Sequence, residues 1–223
     1  MVINGIAKIV FDFDQVLVEG SDEVKQATWP LVFKKYGGRY VEPLAIAQKR
    51  DGHGAGGDRY TMMESVFKAL GEPEDVIARL VAEGAQVFDE HVQIGIGKIG
   101  VQADTRAMLE RLSRRYRLYV NTATPREPFL KTIDLLGIGH WLSGVYGRPF
   151  TKVQNLEAIA ADGVCSPNRA ILFVGDSPND YLAAKEFDCW FIGLIEPRND
   201  WASKKQDFPV VTRTPEIESF LPR

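Results

Sequence analysis

The sequence predicts an α/β fold: a parallel sheet with helices on both faces, interrupted after its first strand by an all-helical insertion. Three observations support this prediction. A short apolar run from Ile9 to Phe11 stands near the start of the chain and is followed by two carboxylates. Between Glu23 and His91, helical segments succeed one another without a convincing strand. From about residue 100 onward, strand-like runs alternate with helical segments, as in parallel sheets with right-handed crossovers.

The helical insertion is predicted from the spacing of apolar residues and from the glycines that end its helices. Pro30 falls inside the first helix and should bend or restart it. Gly71 should end the third helix, and the alternating glycines from Ile94 to Gly100 predict connecting segments that lead back to the sheet. The predicted helices cover residues 23–36, 43–50, 60–70 and 73–91.

Helices and strands alternate through the rest of the chain. Pro125 is predicted at the first turn of a helix, where its missing N–H is tolerated, and Gly137 should end that helix. The first strand would return to this later sheet, so the predicted core is discontinuous, with residues 1–19 and 95–223 forming the core and 20–94 the insertion. The predicted strands are 117–122, 144–146, 170–174, 189–194 and one near 210; the predicted helices are 104–116, 125–136, 152–161, 179–187 and one from 215.

Bulk properties exclude several classes of protein. The chain has 223 residues, of which 45% are hydrophobic and 26% charged, and its formal net charge is −3. This charge is too small to indicate a nucleic acid or a membrane surface as partner. Cys165 and Cys189 have no metal-binding or redox spacing. Neither a signal peptide nor a transmembrane run is predicted, so we expect a cytoplasmic protein. The sequence does not indicate an oligomeric state.

Two carboxylates, Asp12 and Asp14, end the first strand one residue apart. Alternation along a strand would send both side chains to the same face, where each raises the pKa of the other unless a cation offsets the charge. No cationic residue follows nearby in the sequence. The pattern therefore favours a bound metal ion, with one carboxylate as nucleophile and the other as proton carrier. The alternative is a strand end with ordinary acidic turn residues.

Polar residues occur in three further segments at the edge where the carboxyl ends of the predicted parallel strands meet. Thr122 follows one strand, Lys152 begins a helix, and Asp176 and Asp180 follow the strand that ends at Val174. In open α/β sheets, ligands bind in the crevice beyond the carboxyl ends of the strands. An acid pair, a hydroxyl, a lysine and a second acid pair in this order are rare in an arbitrary α/β domain.

These four segments resemble the four motifs of the haloacid dehalogenase-like hydrolase superfamily. The acid pair matches the first motif, Thr122 the second, Lys152 the third, and the Gly-Asp-x-x-x-Asp run from Gly175 to Asp180 the fourth. The resemblance spans the whole chain. It implies a Rossmann-like core, Mg²⁺ as cofactor and an aspartyl-phosphate intermediate. The all-helical insertion resembles the C1 type of cap domain.

The resemblance also implies roles for the acidic residues. Asp12 would attack phosphorus and bind Mg²⁺. Asp14 would protonate the leaving oxygen, deprotonate the hydrolytic water, and offer the metal its backbone carbonyl. Asp176 would bind Mg²⁺ directly, and Asp180 would bind it through water or anchor Lys152.

The phosphoryl group would be held by three residues. The Thr122 hydroxyl and the Ala123 backbone N–H would bind its oxygens at a helix N-terminus. Lys152 would supply positive charge as negative charge spreads over the phosphoryl group. The implied activity is hydrolysis of a small phosphomonoester, such as a phosphosugar or a similar metabolite.

Gln15 departs from the family pattern, in which a glycine usually follows the acid pair. Its side chain could crowd the turn or exclude a positive φ. This departure leaves open a non-catalytic protein that binds a phosphate ligand on the same fold. A phosphomutase of the β-phosphoglucomutase type, which uses the same acid pair, and a phosphonatase also remain open. A dehalogenase is disfavoured because displacement of halide needs no leaving-group proton, and Asp14 would then have no task.

A glycine-rich segment inside the insertion is a candidate for substrate specificity. Four glycines lie between Asp51 and Asp58. Arg50 and Arg59 flank this segment and His53 lies within it, and all three side chains can donate hydrogen bonds. Glycines let a backbone approach a ligand closely. By resemblance, this loop would contact the part of the substrate that does not react. The alternative is a surface turn with ordinary charges.

Overall fold

The predicted α/β fold is confirmed. The structure, a computed structural model, describes residues 1–51, 59–163 and 167–222. Among these residues, six strands form one parallel sheet in the order β3-β2-β1-β4-β5-β6. The strands are β1 Lys8–Phe11, β2 Arg117–Pro125, β3 Leu142–Arg148, β4 Ile171–Gly175, β5 Trp190–Leu194 and β6 Val210–Val211.

The strand β1 lies in the middle of the sheet, and all four of its residues are buried. It pairs with β2 on one side and with β4 on the other. A parallel sheet covered on both faces requires such a buried central strand. The strand order reverses between β1 and β4, and the carboxyl ends at this reversal are where open α/β sheets bind their ligands.

The chain divides into two compact units, Met1–Gly20 with Ile99–Arg223, and Ser21–Lys98. We call the second unit the helical insertion. Its core contains an aromatic cluster in which Trp29 lies 4.7 Å from Phe88 and Phe33 lies 5.2 Å from Phe67, between ring centroids. The described helices of this part of the chain are α1 Ser21–Val32, a 3₁₀ helix Lys34–Tyr40, α2 Val41–Asp51, α3 Arg59–Ala69 and α4 Glu74–Ile99.

The predicted connecting segment at residues 94–100 is wrong, because α4 continues to Ile99. Val92 and Ile96 are both buried, so the helical spacing of apolar residues continues through the glycines. Gly95 also permits a close approach: a Cβ at this position would lie 2.4 Å from Cγ1 of Val24 in α1. Helix contact therefore outweighs the cost of about 1 kcal/mol that each glycine imposes on a helix.

We expect Gly95→Ala and Gly97→Ala to have opposite effects on stability. Gly95→Ala should lower the free energy of unfolding by about 1–3 kcal/mol, because Val24 is stiff and must move to accept the methyl group. Gly97 is exposed in the same helix, so its replacement should be neutral or stabilise by up to about 1 kcal/mol. Denaturant unfolding of both variants measures the difference; equal effects would contradict the packing role of Gly95.

The helices of the first unit support the sheet. Gly137 ends the helix α6, Arg126–Leu136, in the left-handed conformation, as predicted. Pro125 lies at the end of β2, just before that helix, and not in its first turn. The predicted last helix is a 3₁₀ helix, Thr214–Phe220. No helix in the described ranges is long and apolar enough to cross a membrane. These helices are α5 Ala103–Ser113, α6 Arg126–Leu136, α7 Lys152–Ala161 and α8 Pro178–Phe187.

A buried lysine joins β1 to α7. The side chain of Lys8 is 1% exposed, and its ammonium donates hydrogen bonds to the carbonyls of Ile159 at 2.8 Å, Ala160 at 2.9 Å and Asp162 at 2.9 Å. These carbonyls lie at the C-terminus of α7, where a helix leaves its last carbonyls without intrahelical partners. A cation there also interacts favourably with the helix dipole. Lys8 thereby fixes the helix that carries Lys152 at its other end.

Candidate active site

Asp12 and Asp176 lie side by side at the reversal point of the sheet. Asp12 follows β1 directly, and Asp176 follows β4. The backbone N–H of Asp12 donates to the carbonyl of Val174 at 2.8 Å, which continues the pairing of the two strands to this point. Both carboxyl side chains are largely buried. The two predicted acid motifs are therefore brought together at the edge where we expected them.

Lys152 contacts two of the predicted acids. It begins α7, whose start is fixed by a capping box between Thr151 and Gln154. Its ammonium lies 3.0 Å from Oδ2 of Asp12 and also pairs with Oδ1 of Asp180. The cation therefore bridges the first and fourth motifs.

The Asp180 carboxylate accepts three hydrogen bonds, one from Lys152 and two from Ser177. Its side chain is fully buried, and Oδ1 accepts a hydrogen bond from Lys152. Its Oδ2 accepts from the N–H of Ser177 at 3.0 Å and from the Ser177 hydroxyl at 2.5 Å. The first of these bonds, with the bond from the Asp180 N–H to the Ser177 hydroxyl, forms the capping box of α8. Because both oxygens of Asp180 are engaged in this way, its carboxylate keeps Lys152 in position beside Asp12.

The pKa values of the site reflect a surplus of buried negative charge. Burial raises the pKa of Asp12 to about 7, against the opposing effect of Lys152. Burial, together with the charges of Asp12 and Asp180, raises the pKa of Asp176 to about 9. Burial alone would lower the pKa of Lys152, but the two carboxylates beside it raise that pKa above its usual value. When all are ionised, three carboxylates face one ammonium, so this group carries an excess of two negative charges.

The acid group is suited to a divalent cation. Asp12, Asp176 and Asp180 each offer one carboxylate oxygen, and these oxygens lie within 4.8 Å of one another. Carboxylate oxygens are the ligands preferred by small hard cations such as Mg²⁺. A divalent ion would also offset the excess of two negative charges. The donor set and the charge of the site therefore fit the predicted metal.

Asp14 lies in the turn after β1, and its side chain is half-buried. Its backbone carbonyl, the atom predicted to contribute to the metal site, accepts a hydrogen bond from the N–H of Val16 at 2.7 Å. A carbonyl oxygen has two lone pairs, so this bond does not prevent it from binding a cation.

Gln15 adopts the positive φ that the sequence analysis expected it to disfavour. Its φ is 59°, in the left-handed region. This conformation costs a residue with a Cβ about 1–2 kcal/mol. The buried side chain turns back along the chain, and its Oε1 accepts a hydrogen bond from the N–H of Gly20 at 2.7 Å. That contact offsets part of the cost of the positive φ.

Thr122 and Ala123, two of the three predicted phosphate-binding residues, lie within β2 and not after it, because this strand extends to Pro125. The register pairs Phe11 with Val120, so Thr122 stands two residues beyond the last β1 pair, toward the edge that carries Asp12. The buried Thr122 hydroxyl accepts a hydrogen bond from the N–H of Thr124 at 3.1 Å. Ala123 is exposed. This contact shapes the backbone around the N–H group that was predicted to bind phosphate.

Two asparagines that the sequence analysis did not single out position the site. Asn121, fully buried in β2, donates to the backbone carbonyl of Lys152 at 2.9 Å and accepts from Asn155 at 2.9 Å. Asn199 donates to the backbone carbonyl of Asp176 at 2.8 Å. A polar residue inside the apolar strand was a usable signal for Asn121. For Asn199 the sequence carries no comparable signal.

The sequence matches the haloacid dehalogenase-like hydrolase family over residues 6–188. The chain belongs to this family. It is 26% identical over 200 residues to a phosphoglycolate phosphatase of Vibrio cholerae serotype O1, covering 86% of this chain and 85% of that protein. The predicted class of enzyme, a hydrolase of the haloacid dehalogenase-like family, is therefore confirmed.

Solved structures of the haloacid dehalogenase-like family share the fold. One, from Haemophilus somnus 129pt, is described as a predicted phosphoglycolate phosphatase and superposes with a TM-score of 0.73 at 20% identity, covering 97% of this chain and 98% of that one. Another, the hydrolase YfnB from Bacillus subtilis, was solved with bound magnesium and superposes with a TM-score of 0.71 at 12% identity, with the same coverage. At these identities the likeness shows the fold alone.

The predicted specificity residues lie in the helical insertion of this haloacid dehalogenase-like hydrolase. Arg50 donates to the Ser65 hydroxyl at 2.5 Å. Arg59 begins α3, is 8% exposed and pairs with Asp89. His53 lies outside the described residues. Both arginines thus contact other residues of the insertion, and their role in specificity stays a prediction.

Proposed function

We propose that this enzyme is a Mg²⁺-dependent phosphatase that hydrolyses a small phosphomonoester through a phosphorylated Asp12. The observation that carries the proposal is the buried contact of Lys152 with both Asp12 and Asp180, beside Asp176. A nucleophilic carboxylate, a cation for the phosphoryl oxygens and an acidic metal site are the parts that phosphoryl transfer to an aspartate needs. The phosphatase and magnesium named for the relatives agree with this proposal.

In the first step, a carboxylate oxygen of Asp12 attacks phosphorus and the ester P–O bond breaks. Asp14 donates a proton to the leaving alcohol oxygen. Lys152, the Thr122 hydroxyl and the Ala123 N–H stabilise the negative charge on the phosphoryl oxygens. The products of this step are the free alcohol and an aspartyl phosphate on Asp12.

In the second step, water attacks the aspartyl phosphate. Asp14, now deprotonated, accepts a proton from this water, and the bond between phosphorus and the Asp12 oxygen breaks. Inorganic phosphate leaves, and both carboxyl groups return to their starting states. The single proton that Asp14 donates and recovers balances the cycle.

Asp12, Asp176 and the Asp14 carbonyl would hold Mg²⁺, and Asp180 would keep Lys152 in place. When bound, the ion neutralises Asp12 and the phosphoryl oxygens so that two anions can approach each other. Because both oxygens of Asp180 are engaged by Lys152 and Ser177, we assign Asp180 an anchoring task and not a direct ligand position.

The test of this proposal is release of inorganic phosphate from an aryl phosphate, with Mg²⁺ and with excess chelator. We expect turnover only with Mg²⁺. Phosphate release distinguishes hydrolysis from a phosphomutase, which returns an isomeric ester, and from a non-catalytic binding protein, which releases nothing. Phosphoglycolate, named for the Vibrio cholerae relative, and phosphosugars should head the panel of natural candidates. Full activity in excess chelator would refute the metal requirement.

Asp176→Asn should weaken the metal site while preserving its shape. We expect the Mg²⁺ concentration for half-maximal rate to rise by more than about 10-fold. Replacing a residue that only hydrogen-bonds to a metal ligand already weakens metal binding by about that factor. Binding of Mn²⁺, followed by its paramagnetic signal, should weaken in parallel without reference to turnover. Asp134→Asn, at an exposed position of α6, is the matched control and should alter neither value.

A further inference from the structure

The turn that carries Asp14 is held together by backbone hydrogen bonds. The carbonyl of Phe13 accepts from the N–H of Leu17 at 3.0 Å and from that of Val18 at 3.3 Å. The carbonyl of Asp14 accepts from the N–H of Val16 at 2.7 Å. Val16, Leu17 and Val18 are each no more than 2% exposed. The chain that follows Asp14 therefore lies inside the protein, where other segments can determine its position.

One side chain from the segment after β6 reaches this turn. Thr214, which is 5% exposed, donates a hydrogen bond from its hydroxyl to the carbonyl of Val16 at 2.5 Å. The two residues are 198 positions apart in the chain. Val16 is therefore held on both sides, by the Thr214 hydroxyl at its carbonyl and by the Asp14 carbonyl at its N–H.

The 3₁₀ helix that begins at Thr214 is fixed by contacts of its own. Glu218 in this helix accepts two hydrogen bonds from Arg111 of α5, at 3.0 and 2.6 Å. The carbonyl of Phe220 accepts from the N–H of Ile3 at 2.7 Å. These contacts do not involve the turn after β1. Thr214 thus presents its hydroxyl to the turn from a segment that is held independently of it.

We propose that Thr214 is a positioning residue for Asp14: by holding Val16, its hydroxyl keeps the Asp14 carboxyl within reach of the leaving oxygen. This inference rests on the proposed phosphatase function, in which Asp14 protonates the leaving alcohol. A general acid must lie within about 2.6–3.2 Å of the atom that it protonates. A displacement of about 1 Å, even one caused by a change far from the reacting atoms, can lower the rate by about 100-fold.

A competing explanation is that Thr214 only stabilises the fold. A smaller amount of folded enzyme would lower the rates on all substrates by the same factor. A shift of the Asp14 carbonyl at the metal site would likewise change the Mg²⁺ requirement for all substrates. Displacement of the Asp14 carboxyl would instead slow only those esters whose leaving oxygen needs a proton. The ratio of the rates on two esters is therefore the quantity to measure.

The experiment compares para-nitrobenzyl phosphate, an alkyl ester, with para-nitrophenyl phosphate, an aryl ester that is one methylene shorter. The phenolate departs without a proton, whereas the benzyl alcohol oxygen must receive one. We measure kcat/KM, because it reports the first step, in which the alcohol leaves. We expect Thr214→Val to lower kcat/KM by about 10-fold or more for the alkyl ester and by no more than about 2-fold for the aryl ester. Thr214→Ser, which keeps the hydroxyl, should retain the wild-type ratio.

Thr28→Val is the matched control. The Thr28 hydroxyl also donates to the carbonyl of a valine, Val24 at 2.9 Å, but it does so within α1 of the helical insertion. The same chemical change there should leave the ratio at its wild-type value. Thr214→Ala is a second test variant, because it removes the hydroxyl without placing a methyl group against the Val16 carbonyl. It should change the ratio in the same direction as Thr214→Val.

A double-mutant cycle tests whether Thr214 acts through Asp14. In an Asp14→Asn protein there is no carboxyl proton to deliver, so adding Thr214→Val should change kcat/KM for the alkyl ester by no more than about 2-fold. A wild-type ratio in both Thr214→Val and Thr214→Ala, an equal shift in Thr214→Ser, or a full further loss in the Asp14→Asn protein would overturn the proposal and leave the phosphatase function standing. A wild-type protein that releases phosphate from no ester would refute the phosphatase function and this assignment with it.

Discussion

Replacing Asp12 by asparagine should abolish hydrolysis, with kcat falling by roughly 10⁴-fold or more. The amide has the shape of the carboxylate, but it does not form the phosphoryl intermediate. It can still accept a hydrogen bond from Lys152, which lies 3.0 Å from Oδ2 of Asp12, so we expect the fold to survive. Phosphate release from an aryl phosphate at saturating Mg²⁺ measures the loss, and circular dichroism checks the fold.

Asp14→Asn is the matched comparison, because it changes the neighbouring acid in the same way. This variant should lose about 10²–10⁴-fold in rate as a missing proton carrier. The loss should be larger for an alkyl phosphate, whose leaving oxygen needs a proton, than for an aryl phosphate, whose leaving group departs without one. Asp12→Asn should instead affect both esters equally.

Mass spectrometry of acid-quenched protein separates the two roles. Wild type and Asp14→Asn should each carry a phosphoryl group during turnover, since Asp12 is intact in both. The Asp12→Asn protein should carry none. Near-normal Mg²⁺-dependent turnover by Asp12→Asn, or a phosphorylated form of it, would show that another residue is the nucleophile.

The position of the acid group could be predicted from the sequence because strand ends are encoded locally. An apolar run followed by Asp12 predicts a buried strand with a carboxylate at its end, and the run before Asp176 does the same. Parallel strands bring such ends to one edge, so chain order alone places the two acids near each other. The contact of Lys152 with Asp12 confirms that the third predicted segment reaches the same place.

The course of α4 could not be predicted in this way. Alternating glycines ordinarily weaken a helix, and the local pattern around Gly95 therefore favoured a break. The helix persists because Gly95 lies against Val24, a residue 71 positions earlier in the chain. A contact at such a separation depends on the folded arrangement and leaves no trace in the local spacing.

Side chains that bind distant backbone groups were missed for the same reason. Asn199 is an ordinary loop residue in the sequence, yet its amide binds the carbonyl of Asp176. Gln15 was predicted to disturb its turn. Instead its backbone adopts a positive φ, and its side chain accepts a hydrogen bond from the N–H of Gly20. Backbone carbonyls and N–H groups are present at every position, so residue types alone do not indicate which one a polar side chain will find.

Lys8 is the strongest such case, and Lys8→Met should reduce stability substantially. Methionine fills a similar volume but leaves the carbonyls of Ile159, Ala160 and Asp162 without the ammonium that now binds them. The Ile159 carbonyl would still accept from the N–H of Asp162, and the Asp162 carbonyl would still accept from Arg117, so neither is left without a donor. The free energy of unfolding should therefore fall by about 1–3 kcal/mol. For a chain of this size, the midpoint of thermal unfolding should drop by roughly 2–12 °C.

Lys205→Met provides the control, because Lys205 is exposed and the same change there should alter stability by no more than about 0.5 kcal/mol. Denaturant and thermal unfolding of both variants, measured beside wild type, give the comparison. The activity of Lys8→Met adds a second measurement. Because β1 and α7 are joined at one end by Lys8 and at the other by the pair of Lys152 with Asp12, loosening the first contact should also lower turnover. A Lys8→Met protein as stable as the Lys205→Met control would show that α7 is held by its packing alone.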